Sequence, residues 1–142
     1  MTEAVDFLSA PGHLIRRAQQ NHQRLWSELV EEPFTSIQFA VLALLLQKPG
    51  IDQRTLGIEL SIDTSTLAAV CRLLEDRGLL FRRRDDQDTR RYELRATPAG
   101  EALIERTAPV VEAVGEHLLA PLDEGERAQL IELLRRIVLR EN

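Results

Sequence analysis

The sequence predicts a mainly α-helical fold carrying one small β-hairpin, and three observations lead there. Apolar residues recur at three- and four-residue spacing through most of the chain. Helix-capping residues stand where such stretches begin: Thr35 with Gln38, Asp52, Thr97 with Pro98, and Asp123 with Glu126. Between residues 79 and 96 the period shortens to two on either side of the polar turn DDQDT.

The first helix is predicted over residues 11–30, where Leu14, Ala18, His22, Leu25 and Leu29 form one stripe and Ser9 can cap ahead of Pro11. Glu31, Glu32 and Pro33 break it. A capping box of Thr35 and Gln38 opens a second helix over 36–47, apolar on most sides and therefore central. KPGID reads as a turn, after which Asp52 caps a short helix over 53–60. Ser61, Ile62 and Asp63 connect it to a helix over 64–77 that Gly78 ends in the C′ position. Two helices joined so tightly suggest a helix-turn-helix.

Segments 79–84 and 91–96 follow, with Tyr92, Leu94 and Ala96 alternating with Arg91, Glu93 and Arg95. They predict a hairpin with one apolar face, and a hairpin directly after a helix-turn-helix is the layout of a winged helix. Thr97 caps the next helix with Pro98 in its first position, and the pattern runs on through Leu103, Ile104, Val110, Val111, Val114 and Leu118. Pro109 is expected to kink that helix or end its first part. Asp123 and Glu126 open a last helix with an apolar stripe of Leu130, Leu134, Ile137 and Val138. Amphipathic helices at both ends of the chain suggest a homodimer.

Composition narrows the function classes. A chain of 142 residues with 44% apolar and 29% charged residues is one domain's worth of ordinary globular protein. The longest nearly apolar run, 39–46, is far short of the roughly 20 residues that span a bilayer, and the N-terminus shows no leader pattern. A cytoplasmic protein without membrane contact is expected. Cys71 is the single cysteine, and His13, His22 and His117 are scattered, so neither a metal nor another cofactor is expected. With no Gly-rich phosphate loop and no nucleophile-base pairing, the chain does not read as an enzyme.

A net charge of −5 would count against nucleic acid, yet residues 53–97 hold nine arginines against eight acids, a local balance of +1. Six of those arginines, Arg82, Arg83, Arg84, Arg90, Arg91 and Arg95, crowd around the hairpin turn. The positive field is local.

With these elements in order, the sequence resembles the multiple-antibiotic-resistance regulator (MarR) family of winged helix-turn-helix transcription factors over nearly its whole length. The wing carries the resemblance most strongly, through Asp88, Arg90, Thr97 and Gly100, although Ala96 stands where the family usually has Leu. IDTSTLAAVCRLLEDRGLL is similar to the family's recognition helix and its exit. The resemblance implies a single domain, 1–142, with a DNA-binding part at 36–100 and dimerisation helices at 1–35 and 101–142. It further implies a homodimer on a pseudo-palindromic operator, each recognition helix in a major groove, with half-sites about 34–36 Å apart.

Candidate DNA contacts follow residue by residue. Thr64, Ser65 and Thr66 offer hydroxyls and backbone N–H groups at a helix N-terminus, where capping is their other reading. Arg72, about two turns on, reaches phosphate or a base edge, or pairs with Glu75 or Asp76. Arg90 would enter the minor groove held by Asp88, with Arg91 as the alternative, while Arg82 and Arg84 would meet phosphates. Ala68, Ala69 and Leu73 replace polar residues frequent in the family, so less direct base readout is expected.

The resemblance also implies a small effector, an aromatic acid or phenol, bound between the dimerisation helices and the DNA-binding part. GHLIRRAQQNHQRLW is similar to segments of family branches that regulate aromatic catabolism, with Arg16 and His22 at the ligand-contacting spacing. Arginine suits a carboxylate, and Trp26 one turn beyond His22 can cover a ring. Six residues leave Arg16 and His22 roughly 120° apart on the helix, whereas His13 shares the Arg16 face. The plainer reading makes His22 a satisfied core histidine and Arg16 a surface ion pair. Cys71 beside Val70 and Leu74 suggests packing rather than a redox switch. Release of a repressor by an aromatic acid is the function these readings favour; a winged-helix module for protein assembly is the rival.

Overall fold

A computed structural model describes residues 4–139, and in it a 3₁₀ turn (Phe7–Ser9) precedes six α-helices and one hairpin. The helices are α1 (Pro11–Leu29), α2 (Ser36–Gln47), α3 (Gln53–Leu60), α4 (Thr64–Asp76), α5 (Pro98–Leu118) and α6 (Glu124–Val138). Strands β1 (Leu80–Arg84) and β2 (Tyr92–Ala96) pair antiparallel, with Leu80 opposite Ala96 and Arg84 opposite Tyr92. The described residues divide into two compact units. Val30–Pro109 make one; the residues up to Leu29, with those from Val110 on, make the other.

Local chemistry explains most boundaries of the middle unit. Thr35 accepts the Gln38 N–H at 3.2 Å while the Gln38 side chain accepts the Thr35 N–H at 3.1 Å, closing the capping box of α2. Asp52 accepts from Thr55 and opens α3, and Asp63 accepts from Thr66 and opens α4. Gly78, at φ 72°, turns the chain out of α4 in the left-handed conformation glycine adopts without strain. Ser61 takes φ 53° between α3 and α4, an uncommon conformation for a residue with a side chain.

The core of this unit is aliphatic. Leu42 and Leu45 of α2, Leu56 of α3, Leu74 of α4, and Leu80 and Leu94 of the hairpin are fully buried. Apolar alternation along the wing thus seats the hairpin on the helices. Cys71 is buried among them, and loss of hydration pushes its thiol up to about 11, so it stays protonated at neutral pH.

Beneath the hairpin lies a knot of short contacts. Thr97 donates its N–H to Leu79 O at 3.0 Å and its hydroxyl to Gly78 O at 2.6 Å, and that hydroxyl oxygen accepts the Gly100 N–H at 3.1 Å. A Cβ on Gly100 would lie 2.1 Å from Leu79 O. The exit of α4, the base of β1 and the start of α5 therefore meet at one point.

In the terminal unit, Arg127 donates to Leu122 O at 3.1 Å and to Glu116 at 2.6 Å, bracing the turn before α6. Asp123 and Glu126 close a capping box there. No residue of α6 is buried, and Ile131, Leu133, Leu134, Ile137 and Val138 lie exposed along it.

Three expectations need correction or narrowing. Ser9 belongs to the 3₁₀ turn and does not cap α1; Leu14 donates instead to Ala10 O, and Pro11 has no N–H that needs a cap. Of the two alternatives for Pro109, a kink or an end, the end is excluded, because α5 continues through it to Leu118. KPGID is more than a turn, since Gly50 N–H donates to Leu94 O and Leu94 N–H to Ile51 O, both at 3.0 Å, adding a one-residue bridge beside β2.

Two outcomes follow. Gly100→Ala should lower unfolding stability by about 1–3 kcal/mol in urea titration, because the added methyl meets a backbone carbonyl rather than a flexible side chain. Hydrogen bonds from the Thr66 hydroxyl, the Thr66 N–H and the Ser65 hydroxyl hold Asp63 down from 3.8 to about 2. Its contribution is complete above about pH 4 and is lost as pH falls through about 2. Asp63→Asn, which caps without titrating, should flatten that part of an acid-unfolding curve followed by circular dichroism.

Candidate nucleic-acid interface and effector site

The middle unit presents an open cleft between the wing and the helix-turn-helix. It is lined by Asp52, Arg54, Thr55 and Ile58 of the α3 segment, by Asp63 and Thr64 at the start of α4, and by Arg82, Asp88, Arg90, Arg91 and Tyr92 of the wing. Several expected DNA-contacting side chains therefore converge on one concave surface.

At the start of α4, hydroxyl donors are engaged locally. Ser65 Oγ donates to Asp63 at 2.8 Å and Thr66 Oγ1 at 2.7 Å, while Thr64 is exposed. The capping reading of Ser65 and Thr66 describes this geometry. Asp63 also places a carboxylate on the Thr66 N–H, so an anion of the protein already occupies part of the helix terminus. Arg72 is exposed on the far side of α4 from the core and has no ion-pair partner among the described residues. Glu75, one of its expected partners, is engaged by Arg82 instead.

Strand alternation sorts the arginines before the turn. Arg83 pairs with Glu93 at 3.1 Å on one face of the hairpin. Arg82 and Arg84 share the other face with Tyr92, their guanidinium carbons 5.7 and 5.5 Å from its ring centroid. They differ in freedom. Arg82 has a side chain only 23% exposed and donates to Glu75 at 3.3 Å and to Gln53 at 3.5 Å. Arg84 is exposed and forms no ion pair among the described residues.

At the tip, Asp88 organises the turn. Its carboxylate accepts the Arg90 N–H at 3.1 Å and lies 3.7 Å from the Arg90 guanidinium and 3.8 Å from that of Arg91, while its carbonyl accepts the Arg91 N–H at 2.9 Å. Arg90 projects furthest, its side chain 94% exposed. The loose ion pairs aim the arginine without neutralising it by close contact.

Helix α1 carries the expected effector residues as two pairs. Arg16 donates to His13 Nδ1 at 3.0 Å, and because arginine only donates, that nitrogen acts as acceptor. Phe7 stands 5.1 Å from the His13 ring. His22 and Trp26 form the second pair, ring centroids 6.1 Å apart, with Trp26 buried. His22 Nδ1 is buried and has no hydrogen-bond partner among the described residues. A satisfied core histidine would have one.

Sequence reasoning missed the contribution of Gln53 and Glu75. A polar residue in the first turn of α3 and an acid near the end of α4 look like solvated surface until the wing brings Arg82 between them. Only the matching of opposite charges seven residues apart, across the α4 exit, hinted at it.

Similarity to known proteins agrees with this geometry. The MarR family profile matches residues 34–92. Transcriptional regulator HosA of Escherichia coli O157:H7 is 32% identical over 127 residues, which cover 89% of this chain and 93% of HosA. Among solved structures, the PcaV transcriptional regulator of Streptomyces coelicolor in complex with its natural ligand is 44% identical, with a TM-score of 0.91 over 96% of this chain and 97% of that one. Bordetella bronchiseptica BpsR, whose DNA binding is regulated by 6-hydroxynicotinic acid, is 29% identical, with a TM-score of 0.93 over 97% and 99% of the two chains. The chain belongs to the MarR family of winged helix-turn-helix transcriptional regulators.

Proposed function

We propose that this regulator is a homodimeric repressor that binds a pseudo-palindromic operator and leaves it when a small aromatic acid or phenol binds α1. The exposed, Asp88-oriented Arg90 at the wing tip is the observation that carries the DNA-binding reading. It offers a nearly unencumbered cation on a rigid hairpin, which suits a narrow and electronegative minor groove. Arg91 shares the Asp88 anchor, and Arg84 and Arg72 supply phosphate contacts. Thr64, Ser65 and Thr66 meet the DNA at the start of α4, the latter two through hydroxyl lone pairs not used on Asp63. Arg82 acts differently from its neighbours: held by Glu75, Gln53 and Tyr92, it sets the angle of the wing against α4.

Residues 36–100 serve as the DNA-binding part, and the helical segments 1–35 and 101–142 as the dimerisation part. The apolar row on α6, with Leu14 and Ile15 exposed on α1, is more surface of this kind than a monomer commonly leaves to water. Such a regulator works in the cytoplasm and catalyses no reaction; among the described residues no helix is long and apolar enough to cross a membrane.

Effector binding rests on the unpartnered His22 Nδ1 next to Trp26. A phenolic or carboxylate oxygen would satisfy that nitrogen, and the indole would cover the ring. Arg16, now bonded to His13, would turn from a neutral acceptor to a carboxylate, a stronger partner. BpsR, whose DNA binding is regulated by 6-hydroxynicotinic acid, makes a small aromatic acid the natural class to test. Effector and operator must then lower each other's affinity by one common factor.

Two measurements test this. Arg90→Ala should weaken operator binding about tenfold or more in fluorescence anisotropy and flatten its salt dependence, with the protein still sedimenting as a dimer. An assembly module would bind no DNA specifically and keep its protein complex intact in that variant. His22→Phe should retain operator affinity while losing release by whichever acid dissociates the wild-type protein; unchanged release would remove His22 from the site.

A further inference from the structure

The outer face of α4 is not the polar surface that base reading by hydrogen bonds calls for. At about 100° per residue, Ser65, Ala69, Arg72, Leu73 and Asp76 share one side, opposite the buried Leu67, Cys71 and Leu74. Ala69 is exposed and Leu73 is 44% exposed, so the middle of this face is a small apolar patch. Arg72 flanks it without an ion-pair partner among the described residues, and Asp76 ends it. From Ser65 to Asp76 the face spans about 16 Å, which matches roughly five base-pair steps.

The neighbouring groups identify what covers the patch. Arg72 flanks it, and Arg90 and Arg91 of the wing line one cleft with Asp63 and Thr64 at the start of the same helix; such cations suit a polyanion. An apolar patch flanked by a cation fits a surface that alternates negative groups with methyls. The major groove of DNA has that character wherever thymine presents its C5 methyl, the apolar feature that distinguishes its edge.

We propose that Ala69 and Leu73 determine operator specificity by packing on thymine C5 methyl groups in the major groove. This rests on the DNA-binding reading above and adds the feature that is read. Leu73 supplies the larger contact and Ala69 lets the helix backbone approach closely. Loss of one buried methyl contact should weaken binding about fourfold.

The test uses the full-length protein and a duplex selected from a random-sequence library by the wild-type chain. Each thymine of that duplex is replaced in turn by deoxyuridine, which removes only the methyl group. The proposal expects one or two thymines per half-site whose replacement weakens binding about fourfold. In Leu73→Ala, thymine and uridine duplexes should bind alike at one of those positions, with the salt dependence of the wild type. Equal affinity of wild-type protein for every uridine duplex overturns the proposal while leaving DNA binding in place. Undiminished methyl sensitivity in both Leu73→Ala and Ala69→Gly assigns the methyl contact elsewhere and overturns it as well. Failure to select any duplex overturns this proposal together with the DNA-binding reading.

Discussion

The contact of Gly100 with the Leu79 carbonyl governs the middle unit. Helix α5 can start where it does only because residue 100 has no Cβ, and Thr97 uses its single hydroxyl to bind both the α4 exit and the first turn of α5. This fixes the base of the hairpin to the end of the recognition helix. The wing tip, some ten residues away, inherits its direction from that base and from the Arg82 contacts with Glu75 and Gln53. A mispacked junction would therefore be felt at Arg90 without touching it.

What could be read from the sequence was what depends on neighbours in the chain. Asp52, Thr97 and the two capping boxes announced helix starts because a cap bonds within three residues of itself. Gly78 announced a stop for a similar reason. Contacts made across the fold were hidden. Ile51 has no alternating run around it, so nothing local revealed its pairing with β2; that bond exists only once Leu94 is in place. Ser9 looked like a cap because of its residue type, and lost the role to the 3₁₀ turn that draws it away.

The candidate sites divide along the same line. Arg90 and Asp88 are two residues apart, and their relation survives from sequence to structure intact. Arg82, Arg83 and Arg84 are identical as letters, and their places on the pleat distinguish them: one is committed to Glu75 and Gln53, one to Glu93 across the hairpin, and one lies exposed over the Tyr92 ring with no ion pair among the described residues. In α1 the helical angle set Arg16 on the face of His13, and the two are hydrogen-bonded. No pattern could show that His22 Nδ1 would be buried without a partner. Net charge was the poorest guide, since an overall −5 coexists with arginines that keep their acids at arm's length.

The aromatic residues have a practical consequence. The chain contains one tryptophan and one tyrosine, and they fall in different units. Trp26 lies against His22, and Tyr92 lies beneath two guanidinium groups on the wing. Each unit thus contains its own intrinsic chromophore. Indole emission reports on the helix that would hold an effector, and phenol absorbance reports on the hairpin that would hold DNA. The order in which the two respond to an added molecule can be followed in the unlabelled native chain.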